Sequence, residues 1–197
     1  MFYDCDQEYD VIYRKPQQYI QNISRFSAQF ILTENRRVSS TKQIVAFAQK
    51  VLNGMSLQKA YNTAEVSEYI YMERFPEHKL IIKKINALKK DISLKNRNDV
   101  VVLLDSNCKW TDSQNGETLY QRIMGLESVT EIDVNTIKNL HELKNVPVCT
   151  ILQYKGLESK HVILIVGEKD YQNKAYELYV GISRAIIKLE IWLYGGD

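Results

Sequence analysis

With 197 residues the chain is sized for one domain, or one domain with a small appendage. Its 45% hydrophobic and 25% charged residues allow a buried core and exclude a disordered chain. The 26 basic residues against 24 acidic ones leave a net charge of +2, too balanced to indicate nucleic-acid binding by charge alone, although a local groove can still be basic.

Residues 1–28 form a lead-in, and the domain proper is expected over 29–197. QFILT (29–33) is a short strand candidate. SSTKQIVAFAQKVLNG (39–54) reads as a helix, with a hydroxyl cap, apolar positions Ile44, Val45, Phe47, Ala48 and Val51, and a terminating Gly54. Residues 56–76 are polar and tyrosine-rich, with room for a short helix and a stop near Pro76. EHKLIIKKINALKKDI (77–92) is a second amphipathic helix, DVVVLLD (99–105) a buried strand, and GETLYQRIMG (116–125) the helix after it. A weaker strand is placed at 129–133. VPVCTIL (146–152) and HVILIVG (161–167) are strands flanking the tight segment QYKGLES (153–159). A helix around 173–186 leads to a last strand, KLEIWLY (188–194). Apolar strands alternating with helices predict an α/β domain with a mostly parallel sheet.

Cys5, Cys108 and Cys149 are scattered, with no CxxC pair, as in a reduced cytoplasmic protein, which is the expected location. His78, His141 and His161 are isolated as well, so no metal site is assigned. The longest aliphatic runs, Val100–Leu104 and Val162–Val166, are too short to span a bilayer, and the acidic N-terminus is unlike a signal peptide. No membrane partner is expected.

YELYVGISRA (176–185) raises the question of Arg184. Leu178, Ile182 and Ala185 sit at helical spacing, so local physics predicts an amphipathic helix with Arg184 solvated near its end. TILQYKGLES (150–159) leaves a strand and breaks at Lys155-Gly156, where a ligand is expected beyond the carboxyl end of the sheet. Gly156 permits close backbone approach, and Glu158 can accept from ribose hydroxyls.

TILQYKGLES followed by HVILI and then LYVGISRA resembles motifs V and VI of the UvrD/Rep-type superfamily 1 DNA helicases, in their second RecA-like (2A) domain. LTENRRVSSTKQIVAFAQKVL (32–52) resembles motif IV of that family, and YDCDQ (3–7) the tail of motif III. The resemblance implies a RecA-like, P-loop-NTPase-type three-layer α/β domain. It also implies roles residue by residue. Arg184 and Arg37 match the two arginines that supply positive charge to the γ-phosphate as the transition state forms, and Gln7 matches the glutamine that senses it. Glu158 matches the residue that holds the ribose, with Gly156 giving close approach. Arg36 replaces the tyrosine that stacks on adenine, and its guanidinium plane is the group to stack there. Thr150 matches a position near the bound DNA strand, with Tyr9 and Tyr13 as base-stacking candidates. Leu152 stands where the family often has histidine.

No G-x-x-x-x-G-K-[ST] phosphate cradle occurs, and no acidic Walker B pair precedes YDCDQ. The resemblance therefore implies the C-terminal half of a helicase. ATP with Mg²⁺ would be held mainly by an N-terminal RecA-like domain, and single-stranded DNA would cross both domains. The stretch between DVVVLLD and VPVCTIL is too short for a large inserted 2B domain, so a compact branch is implied. The alternative is a catalytically inert helicase-derived module that binds nucleic acid or a protein.

Overall fold

A computed structural model describes residues 39–63, 68–91, 99–109, 117–132, 143–168 and 174–195. Six strands form one sheet: β1 (Ile70–Phe75), β2 (Val100–Leu104), β3 (Val129–Glu131), β4 (Val146–Thr150), β5 (Ser159–Gly167) and β6 (Ala185–Tyr194). Their order is β1-β6-β5-β2-β4-β3, and every described pairing is parallel. The helices are α1 (Ser39–Leu52), α2 (Leu57–Thr63), α3 (His78–Asp91), α4 (Leu119–Met124) and α5 (Ala175–Ile182).

The central strands β2 and β5 bury both faces, which explains why they read as unbroken aliphatic runs rather than alternating ones. Val101 and Leu103 point to the layer of α1, α2 and α5, where they meet Phe47, Leu57 and Val180. Val100, Val102 and Leu104 point to α3 and α4, against Ile81 and Ile123. The result is the expected three-layer α/β architecture. Gly54 ends α1 at φ +87°, and Thr118 with Gln121 closes a reciprocal capping box at the start of α4. No described helix is long and apolar enough to cross a membrane.

One strand was not expected. IYMERF forms β1, which among the described residues lies at the sheet edge and pairs only with β6, in the stretch read as polar and tyrosine-rich. A strand with one neighbour tolerates Glu73 and Arg74 on its rim, so the apolar run that would reveal it is absent.

On β6, Glu190 is only 12% exposed and carries a local charge network. Its carboxylate accepts from Lys188 Nζ at 2.7 Å and Trp192 Nε1 at 3.1 Å. His161 Nε2 lies 3.1 Å away as an ion-pair contact, off the line a hydrogen bond needs. Burial alone would raise the carboxyl pKa, but His161 and Lys188 outweigh it and hold it at about 2. A depressed carboxyl pKa contributes stability that is present above the unfolded value and lost as pH falls through the folded one. Urea stability is therefore expected to fall between about pH 4.5 and 2, and Glu190→Gln should flatten that part of the profile.

Candidate functional site

β4 ends at Thr150, where the chain begins a single helical turn. Thr150 and Gln153 form a second capping box. The Thr150 N–H and hydroxyl donate to Gln153 Oε1 at 2.9 and 2.8 Å, and Gln153 N–H donates back to Thr150 Oγ1 at 3.4 Å. The signal T-x-x-Q for this turn stands in the sequence. Gly156, at φ +90°, ends the turn in a conformation that L side chains rarely adopt. Tyr154 then folds back, its hydroxyl donating to the Glu158 carbonyl at 3.2 Å. Burial is the main cause that pushes that hydroxyl up to about 12.

Ser159 opens β5 and shows where this loop lies. Its N–H donates to the Arg184 carbonyl at 3.0 Å and its hydroxyl to the Asp99 carbonyl at 2.7 Å. Arg184 immediately precedes β6 and Asp99 precedes β2, so this is the amino-terminal edge of the sheet. Gly156 and Glu158 therefore do not lie beyond the carboxyl ends of the strands, as expected from sequence. The turn carries the chain from the carboxyl end of β4 across to the amino end of β5, leaving Thr150 at the opposite edge. The lesson is that a crossover this short delivers its last residues to the next strand's start.

Arg184 is also not the solvated helix-end arginine that local spacing predicts. α5 is buried on all sides from Glu177 to Ile182, and Ala185 already belongs to β6. Arg184 itself is only 4% exposed. Its Nε donates to the Val180 carbonyl at 3.0 Å, Nη2 to Ser183 Oγ at 2.8 Å, and Nη1 to the Leu157 carbonyl at 3.2 Å. The last bond joins the arginine to the KGLE loop, 27 residues earlier in the chain. The structure thus brings together Arg184, Gly156 and Glu158 at one edge. Arg36, Arg37, Gln7, Tyr9 and Tyr13 lie outside the described residues.

α5 holds this arrangement against the sheet in two further ways. At Gly181, an added Cβ would come within 3.0 Å of Leu164 Cδ1 and 3.1 Å of Ile151 Cδ1, so the helix backbone rests directly on β5 and on the turn after β4. Near the helix start, the Glu177 carboxylate takes both the N–H (2.7 Å) and the hydroxyl (2.8 Å) of Ser106, beside the end of β2. Lys174 bridges to Asp105 at 3.4 Å. Sequence reasoning missed this cluster because Ser106 and Glu177 are 71 residues apart. Among the described residues, no three His, Cys, Asp or Glu side chains converge as for a metal ion.

No protein-family profile and no curated protein matches the chain. Among solved structures it is similar to the C-terminal domain of a possible DNA helicase from Lactobacillus plantarum WCFS1. Identity is 18% and the TM-score 0.53, over 83% of this chain and 89% of that one. At that identity the likeness concerns the fold. With its parallel six-stranded sheet between two helical layers, the chain has the α/β fold of a helicase C-terminal RecA-like domain.

Proposed function

We propose that the chain is the second, C-terminal RecA-like domain of an ATP-dependent UvrD/Rep-type superfamily 1 DNA helicase. It completes an ATP site shared with an N-terminal RecA-like domain and forms part of the track for single-stranded DNA. The observation that carries this is the convergence of Arg184 with the Gly156–Glu158 loop, joined through the Leu157 carbonyl. Two stretches that the resemblance assigns to one ligand, 27 residues apart at this bond, meet at one edge.

That edge suits a nucleotide. A Cβ built on Gly156 meets no heavy atom within 4 Å, so a ligand can lie against the backbone there. Glu158 is exposed and offers its carboxylate to ribose hydroxyls. Arg184 and Arg37 supply the positive charge that phosphoryl transfer requires, Arg36 stacks on the base, and Gln7 senses the terminal phosphate. Bound ATP with Mg²⁺ supplies the phosphoanhydride to be cleaved and the metal that neutralises its charge. With no G-x-x-x-x-G-K-[ST] in this chain, the triphosphate falls to the N-terminal domain. Thr150, Tyr9 and Tyr13 serve the DNA track.

A second reading is favoured by one observation. Arg184 donates to three acceptors of its own chain while almost fully buried, as a structural arginine would in an inert, helicase-derived binding module. Both readings expect the pure chain to hydrolyse no ATP, with or without DNA. Phosphate release by the chain alone would overturn the shared-site proposal. The two readings separate at Arg184 once both RecA-like domains are present.

A further inference from the structure

We propose that Ser183 is a positioning residue for Arg184, fixing which nitrogens of the guanidinium meet the phosphoryl group. This rests on Arg184 being the arginine of the ATP site. Ser183 is 4% exposed and caps α5. Its hydroxyl donates to the Val180 carbonyl at 3.0 Å and accepts from Arg184 Nη2 at 2.8 Å. The same Val180 carbonyl accepts from Arg184 Nε at 3.0 Å. These three bonds close a triangle among Val180, Ser183 and Arg184.

The consequence lies in the shape of the guanidinium. Arginine presents a side-on edge, Nε with Nη2, and an end-on edge, Nη1 with Nη2, each able to hold two oxygens at once. In this chain the side-on edge is committed to the helix end, which turns the end-on edge toward the loop carrying Gly156 and Glu158. The Leu157 carbonyl holds Nη1 there at 3.2 Å. The Ser183 hydroxyl, itself held by the Val180 carbonyl, gives Nη2 a fixed side-chain partner and so orients the guanidinium plane about Val180. A misplaced transition-state donor costs turnover without costing ground-state binding, because the charge it serves develops only as the bond breaks.

The test uses the protein containing both RecA-like domains, comparing wild type, Ser183→Ala, Ser183→Thr and Arg184→Ala. Ser183→Ala is expected to lower kcat by about 10-fold or more, the scale of one lost hydrogen bond to a charged group, with KM for ATP little changed. Ser183→Thr keeps the hydroxyl and should restore most of that kcat. On the present chain alone, Ser183→Ala should speed hydrogen exchange of the Arg184 Nη2 protons, measured by NMR. Unchanged kcat in Ser183→Ala alongside lost turnover in Arg184→Ala overturns this inference and leaves the ATP-site proposal standing. Equal losses in Ser183→Ala and Ser183→Thr also overturn it, since they mark a packing site. Unchanged turnover in Arg184→Ala removes both.

Discussion

Arg184→Ala is expected to lower ATP turnover of the proposed two-domain protein by about 10³-fold or more, in the range of arginine fingers. The group lost is a guanidinium held rigidly at one edge of the sheet, next to the loop proposed to contact ribose. Arg184→Lys should recover little, because one ammonium offers a point charge in place of a planar fork and cannot satisfy Val180, Ser183 and Leu157 together. Nucleotide affinity should fall far less than turnover if the arginine acts on the transition state. Burial adds a second effect. Removing a 4% exposed side chain takes a charged donor from the Leu157 carbonyl, while the Val180 carbonyl keeps the Ser183 hydroxyl, at a cost of about 1–3 kcal/mol. Turnover must therefore be compared per folded molecule, with a melting curve on the same sample. Loss of stability with full turnover would make Arg184 a staple of the fold and remove it from the ATP site.

The largest expected loss of stability is at Asp105. This residue is fully buried at the carboxyl end of β2, and its carboxylate gathers five donors. Oδ1 accepts from Cys108 N–H at 3.2 Å, Cys108 Sγ at 3.1 Å and Tyr194 Oη at 3.4 Å. Oδ2 accepts from Gly167 N–H at 3.2 Å and Lys174 Nζ at 3.4 Å. It thereby ties the ends of β2, β5 and β6 to the start of α5. Asp105→Ala strands buried donors and an inward-facing ammonium, at about 3 kcal/mol or more. Urea unfolding of the 197-residue chain should show that loss, with a melting temperature lower by about 6–12 °C. Asp105→Asn should recover only part of it, since an amide turns two donors toward a cluster that is already rich in them. A change below about 1 kcal/mol would mean that water or Glu177 takes over these donors.

Much of this architecture is legible in the sequence because central parallel strands announce themselves. Val100–Leu104 and Val162–Val166 carry no polar interruption, and Gly54 marks a helix end by backbone geometry alone. The edge strand IYMERF is illegible for the converse reason, as half its surface is not committed to the core. Arg184 shows the limit most clearly. Nothing near it in the chain predicts burial, because its desolvation is offset by carbonyls of Val180 and Leu157, one of them distant in sequence. Helical spacing placed Ala185 on the buried face of α5, yet the residue is buried as the first of β6. Motif resemblance singled out Arg184, Gly156 and Glu158, and their meeting at the amino edge depends on the length of the β4–β5 crossover. Asp105 and Glu177 were missed because their partners are distant in sequence: Gly167, Lys174 and Tyr194 for Asp105, and Ser106 for Glu177.

The central claim is that this domain completes an ATP site whose other half binds the triphosphate. Its most direct test is phosphate release by the protein containing both RecA-like domains, measured with and without single-stranded DNA, beside the present chain alone. The two-domain protein is expected to hydrolyse ATP, faster with DNA, while the chain alone releases no phosphate. A folded two-domain protein that binds DNA but releases no phosphate with or without it would contradict the claim.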